Sequence, residues 1–220
     1  KQSDVKQFIL LSAICVQKPE LAFQQAKLKF EQELIHSGLT YSIVRPTAFF
    51  KSLSGQINAV KNGKPFVVFG NGELTACKPI SEQDLARFMV NCLTDVSKQN
   101  QILPVGGPDR AITPLQQGNL LFELCNKPAK FRHAPVLLFD CIVPILSALS
   151  YLIPSFKDKA EFARIGRYYS SESMLVFNEK TQAYDADITP SFGNVSLREH
   201  YKRVLNEGLE GQELGDHSLF

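Results

Sequence analysis

Two short apolar runs, Phe8-Ile9-Leu10-Leu11 and Tyr41-Ser42-Ile43-Val44, stand one helical pattern apart, and this constrains the chain more than any other feature. Each run is too brief for a helix and is bounded by polar or proline signals, so each reads as a strand. Runs this uniformly apolar read as interior strands of a parallel sheet. Between them Pro19 opens the helical pattern and Gly38 stands just past its end. In an open α/β sheet, ligands sit beyond the carboxyl ends of the strands. The first strand ends in Ser12-Ala13, the second empties into Arg45-Pro46-Thr47, and the intervening helix carries Lys27. Ser12, Lys27 and Thr47 are therefore predicted to face one crevice.

On that helix Phe23, Lys27, Phe30 and Leu34 follow at four-, three- and four-residue steps, which stacks them on one face. A lysine in such a face has two readings. Its stem can pack while its ammonium snorkels to water, or it can point into the crevice and bond a cofactor ribose. Phe49 and Phe50, directly after the crevice-facing turn, divide in the same way between core packing and contact with a ligand.

Further along, Ser52 to Lys61 reads as a helix ended by Asn62-Gly63, and Gly70-Asn71-Gly72 as a hairpin turn between Phe66-Val67-Val68-Phe69 and Leu74-Thr75-Ala76-Cys77. Ser81 with Asp84 three residues on is a variant capping box, which gives Asp84 a capping role. Residues 101–107 read as a strand and its exit, Thr113-Pro114 as the start of a helix reaching about Cys125, and residues 130–135 as a short strand. Residues 136–153, VLLFDCIVPILSALSYLI, carry one charge, Asp140, and one proline, and stand at the lower limit of a membrane span in length. Asp140 and Pro144 argue against a lone span and for a buried or interfacial helix pair. An exposed face there would suit a large apolar ligand or a membrane surface. Arg164 and Arg167, beside Tyr168 and Tyr169, can hold a carboxylate and stack on a flat ring, or form a solvated helical face. Ser196 is read as the N-cap of a last helix, and 208–220 as a poorly ordered tail.

A chain of 220 residues with 44% hydrophobic content can bury a real core. A formal net charge of +2 implies no broad basic field, so nucleic acid is a poor partner. Cys15, Cys77, Cys92, Cys125 and Cys141 lack C-x-x-C spacing and read as reduced thiols; with no metal-ligand spacing among the histidines, no metal site is expected.

A serine closing one strand, a lysine on the next helix and an Arg-Pro-Thr closing the next strand resemble the latter half of a short-chain dehydrogenase/reductase, with its Ser, its Tyr-x-x-x-Lys and its proline-containing turn beside the nicotinamide. Phe23 stands where that superfamily has tyrosine, so no phenol can donate a proton there. This turns the resemblance toward the atypical, NmrA-like branch. The stretches "LLSAICVQKP", "FQQAKLKFE", "YSIVRPTAFFKSL", "ACKPISEQDLA", "ARIGRYYSSESMLV" and "EGLEGQELG" resemble, over nearly the whole chain, the divinyl chlorophyllide a 8-vinyl-reductase family, whose pattern also has phenylalanine at this place.

The resemblance implies an α/β fold, a Rossmann-like doubly wound parallel sheet with a small, mainly helical substrate lobe. Residues 1–134 would be the C-terminal part of the NAD(P)-binding domain with interleaved substrate-lobe segments, 135–207 the apolar helical and Arg-Tyr-Tyr substrate region, and 208–220 a flexible tail. It implies NADPH as cofactor and reduction of the 8-vinyl group of divinyl chlorophyllide or protochlorophyllide, a Mg-tetrapyrrole, to ethyl in chlorophyll biosynthesis. Lys27 and Ser12 would be catalytic; Ser12, Lys27, Pro46, Thr47, Ala48 and Phe49 would hold the cofactor, and Phe50, Arg164, Arg167, Tyr168 and Tyr169 the pigment. The proton donor stays open between water, Ser12 and a residue elsewhere. The location would be a plastid in a eukaryote, or the cytoplasm or thylakoid in a bacterium; peripheral membrane association is expected only if 136–153 exposes an apolar face. The alternatives are a non-catalytic NmrA-like dinucleotide sensor or assembly factor, and an isoflavone-reductase-like enzyme of another aromatic. No Gly-rich phosphate loop precedes the first strand, so the chain is expected to be the C-terminal part of a longer protein, inactive and weak in NADPH binding alone.

Overall fold

The computed structural model describes residues 4–208, and the tail expected from 209 onward lies outside them. These residues form two units. One takes 4–50, Cys77–Ala111 and Met174–His200; the other takes Lys51–Ala76, Ile112–Ser173 and 201–208. Residues on both sides of position 135 therefore share the second unit, while the chain after 173 returns to the first.

The first unit is built on a parallel sheet of β1 (Gln7–Leu11), β2 (Thr40–Pro46) and β4 (Gln101–Val105) in the order β1-β2-β4, with β3 belonging to the second unit. β2 lies at the centre, registered Leu11 to Val44 on one side and Pro46 to Val105 on the other. Ile43 and Val44 are fully buried, as an interior strand requires. β1 differs from its expected interior place: it is an edge strand among the described residues, with Phe8 and Leu11 exposed.

Helix α1 (Ala22–His36) joins β1 to β2. It starts three residues after Pro19, because Ile14–Gln17 first makes a 3-10 turn that buries Ile14, Cys15 and Val16. Gly38 follows its C-cap with φ of 78°, the left-handed conformation that glycine adopts at no steric cost. Helix α3 (Glu82–Thr94) opens on Ser81, whose Oγ accepts from the Asp84 N–H at 3.0 Å. It packs Leu85, Phe88 and Cys92 with Val44, Ile80 and Val105 into a core that Phe49 flanks. Asp84 caps, as expected, and also anchors a distant loop. It is completely buried and accepts from the backbone of Asn194 and Val195 at 3.2 and 3.1 Å. A Cβ on Gly193, itself at φ of 95°, would fall 2.2 Å from the Asp84 Cγ, so this approach requires glycine. A small antiparallel pair, β6 (Val176–Asn178) with β7 (Ala183–Asp185), completes the unit.

The second unit contains the short helix α2 (Ile57–Lys61), preceded by a 3-10 turn at Lys51–Leu53 in place of one helix from Ser52. Its β3 (Phe66–Phe69) pairs in parallel with β5 (Phe131–Ala134), so the expected hairpin across Gly70-Asn71-Gly72 does not form. The glycines still turn the chain, through the Gly72 N–H to the Phe69 carbonyl at 3.0 Å. Helix α4 (Pro114–Leu124) begins with a reciprocal capping box between Thr113 and Gln116. Helices α5 (Leu137–Leu152) and α6 (Phe156–Tyr169) pack as a helical hairpin. α5 is a single helix with Pro144 inside it, and no helix among the described residues is long and apolar enough to cross a membrane. Helix α7 (Leu197–Glu207) closes the described chain; Ser196 and Glu199 cap it reciprocally.

Candidate active site

The sheet's carboxyl end opens into a cleft of about 310 Å³ in the first unit, lined by Leu10, Leu11, Ser12, Ala26, Lys27 and Phe30. Ser12 and Lys27, predicted to meet, do so here. The strand-end geometry causes it: Ser12 follows β1 directly, its N–H bonded to the Val44 carbonyl at 2.8 Å, and α1 returns across it. The lining is otherwise apolar, so these two residues supply its polar chemistry.

The face that α1 buries is not the one drawn from Phe23, Lys27, Phe30 and Leu34. The buried positions are Leu21, Gln24, Glu31 and Leu34, while Phe23 and Lys27 are half-buried and Phe30 is exposed beside the cleft. Two polar residues thus occupy the inner face, and each has a task. Gln24 Oε1 accepts from the N–H groups of Glu20 and Leu21, both at 2.8 Å, and so caps the helix start. Its Nε2 has no hydrogen-bond partner among the described residues.

Glu31, 2% exposed, receives both Ser12 and Arg45. Arg45 Nε donates to Oε1 at 3.1 Å and its Nη2 donates to Oε2, a two-point grip that fixes the carboxylate. Ser12 Oγ donates to Oε1. A carboxylate held by a guanidinium in this way only accepts hydrogen bonds, so the Ser12 hydroxyl hydrogen is committed inward. Ser12 therefore meets the cleft with lone pairs alone. Glu31 and Arg45, missed by sequence reasoning, thus stand behind Ser12.

Thr47 is buried and absent from the cleft lining. Its Oγ1 donates to the Lys78 carbonyl at 2.5 Å and its N–H to the Val105 carbonyl at 3.0 Å. The turn Pro46-Thr47-Ala48 is thereby locked to the segment before α3, and the Ala48 carbonyl accepts from the Ile80 N–H at 2.8 Å. Phe49 pairs with Ile80 in an isolated bridge at the edge of the core. Phe50 is fully buried with its ring 5.1 Å from that of His200, which assigns it to the core and not to a ligand.

The other four predicted residues lie in the second unit, on α6. Arg164 donates to Glu161 at 3.1 Å and to Ser147 Oγ on α5 at 2.8 Å. Arg167 donates to Asp140 on α5 at 2.7 Å and to Ser171 Oγ at 2.9 Å. Both arginines clip α6 to α5. Tyr168 is buried, edge-on to the exposed Tyr169 at 5.6 Å, so only Tyr169 presents a ring outward. No disulfide joins the cysteines among the described residues, and burial pushes the Cys77 thiol up to about 12, making it inert.

A family model described as NAD(P)H-binding matches residues 1–96. The chain is 55% identical over 218 residues to the chloroplastic divinyl chlorophyllide a 8-vinyl-reductase of Cucumis sativus, covering 97% of this chain and 52% of that protein. The reductases of the same name from Zea mays and Arabidopsis thaliana are 53% and 51% identical, over 97% and 98% of this chain and 54% and 53% of theirs. The chain thus spans about half the length of these curated relatives. Among solved structures, leucoanthocyanidin reductase from Vitis vinifera superposes with a TM-score of 0.64 at 11% identity, over 91% of this chain and 69% of that one. An NADPH-dependent quinone oxidoreductase from Escherichia coli, complexed with NADPH, does so at 0.61 and 14%, over 91% and 66%. These structural likenesses establish the fold, a Rossmann-like α/β sheet.

Proposed function

We propose that the chain is part of an NADPH-dependent reductase that converts the 8-vinyl group of divinyl chlorophyllide to ethyl within a plastid. The likeness to the cucumber, maize and Arabidopsis reductases, over nearly all of this chain and about half of theirs, is the observation that carries this reading. The cleft supports it chemically. Its volume is at the small end for a ligand site and suits one ring with its sugar, not a whole dinucleotide. Lys27 brings a donor cation and Ser12 an acceptor, a pair that fits a sugar hydroxyl, which both accepts and donates.

When bound, NADPH supplies the hydride. Lys27 holds the ribose and fixes its place against the pigment, a positional contribution to the rate. Ser12, its hydrogen turned to Glu31, accepts from the ligand and keeps one orientation throughout. The Pro46-Thr47-Ala48 turn at the end of β2, outside the cleft lining, is held in place because Thr47 is tied to Lys78 and Val105. With Phe23 in place of tyrosine and the Ser12 hydrogen turned to Glu31, the proton comes from water or from a residue outside this chain. The substrate tolerates this: a vinyl group conjugated to a macrocycle accepts hydride at its terminal carbon while the ring spreads the charge until the neighbouring carbon is protonated. Within the second unit, Arg167 can take a propionate and Tyr169 a ring face, since a half-exposed ion pair such as Arg167 with Asp140 yields readily to another carboxylate.

The test mixes the complete protein with divinyl chlorophyllide and NADPH and follows the Soret band, with NADPH omitted as control. Loss of a conjugated vinyl group moves the band to shorter wavelength. An unmoved band in a protein that binds NADPH would overturn the reading and favour a dinucleotide sensor.

A further inference from the structure

Ser12 is held at both of its ends by neighbouring residues of β2. Its N–H donates to the Val44 carbonyl at 2.8 Å, and its Oγ donates to Glu31 Oε1, which also accepts from Arg45 Nε at 3.1 Å. The backbone of Ser12 is thus fixed by Val44 directly, and its side chain by Arg45 through Glu31. Water has little access to this linkage: the side chains of Arg45 and Glu31 are 16% and 2% exposed. A buried charge is tolerated only when paired and hydrogen-bonded, and an apolar pair of similar volume holds a fold about as well. The linkage therefore needs a reason beyond stability, and its one contact with the cleft is Ser12.

A serine hydroxyl has one hydrogen and two lone pairs, and it ordinarily rotates to suit its partner. Glu31 removes that freedom. Turning the hydrogen toward the cleft would set a Ser12 lone pair against the carboxylate that now accepts from it. Across the cleft the Lys27 ammonium only donates, and Leu10, Leu11, Ala26 and Phe30 bring hydrocarbon side chains. We infer that Glu31, fixed by Arg45, is a positioning residue that acts through Ser12. It makes the cleft select a ligand hydroxyl, which accepts from Lys27 and donates to Ser12, over a group that can only accept. The inference rests on the reading of the cleft as the seat of the nicotinamide ribose. A freely turning Ser12 would take either kind of group; one committed to Glu31 reads the hydrogen of the sugar hydroxyl.

The experiment measures binding of the complete protein to NADPH and to two analogues in which fluorine replaces one or the other hydroxyl of the nicotinamide ribose. Fluorine is close to a hydroxyl in size and cannot donate. One analogue is expected to bind about tenfold more weakly than NADPH. Glu31→Leu with Arg45→Met, checked for folding by urea titration, should narrow that difference to about threefold or less, because the released Ser12 hydrogen can then turn to the cleft. Ser12→Ala, which leaves the ion pair in place, should narrow it as far and gives the same test should the pair replacement unfold. All three changes together should weaken NADPH binding no more than Ser12→Ala alone, since residues acting through one contact do not add. An undiminished difference in either variant, or additive losses in the triple variant, would overturn the inference while NADPH binding by the wild type upheld the reading of the cleft. A wild type that binds no NADPH would overturn both.

Discussion

Helix α1 buries Gln24 and Glu31, whereas α5, far more apolar in sequence, buries nothing. Most surface leucines and most interior leucines need no explanation; a buried charge and a broad exposed apolar stripe do. In α1 the inverted residues face inward and hold one another. Glu31 fixes Ser12 and is fixed by Arg45, so the buried charge sets the polarity of a cleft. In α5 the inverted residues face outward and are not covered by any other described residue. The first inversion builds a site and the second builds a surface.

The sharpest way to break this contrast is to remove the buried carboxylate. Glu31→Ala leaves Arg45 and Ser12 without their shared acceptor and should lower the unfolding free energy by about 3–5 kcal/mol in urea titration. Replacing the pair together, Glu31→Leu with Arg45→Met, should cost no more than roughly 1 kcal/mol. Equal losses in both variants would mean that the pair holds the fold for its own sake and does not serve the cleft.

A smaller effect is expected from Lys27→Ala. It should weaken NADPH binding to the complete protein about tenfold, or 1.4 kcal/mol, with the unfolding midpoint unchanged. An unaltered affinity would return Lys27 to a packed stem with a solvated head. Smallest is Arg167→Ala, whose ion pair is half-exposed and worth less than about 1 kcal/mol to stability. It should still cost about fivefold in pigment affinity, and no change in affinity would leave Arg167 as a clip between α6 and α5.

Much of the first unit is legible in sequence because local signals agree there. Apolar runs, Gly38 and the Ser81 cap each point to the element that forms. The inner face of α1 is not legible in the same way. Phe23, Phe30 and Leu34 make the more apolar line, and only the tertiary pairing of Glu31 with Arg45, across the turn from helix to strand, rotates the helix to bury the polar one. A signal existed: Leu21, Gln24, Leu28, Glu31 and Ile35 follow helical spacing, with a polar residue in every second place. β1 is an edge strand among the described residues, a position hydrophobic content does not signal, since it reports apolar surroundings and not which neighbour provides them. The Phe66–Phe69 strand misleads because its partner, Phe131–Ala134, is remote in sequence while a glycine turn suggested a near one.

The central proposal is that the complete protein carries hydride from NADPH to a vinyl group. The most direct measurement gives the complete protein NADPH deuterated at the transferred position of its nicotinamide and reads the pigment product by mass spectrometry. The account expects one deuterium, at the terminal carbon of the new ethyl group, with its neighbour protonated from solvent. An ethyl product without deuterium, or deuterated pigment with its vinyl group intact, would contradict it.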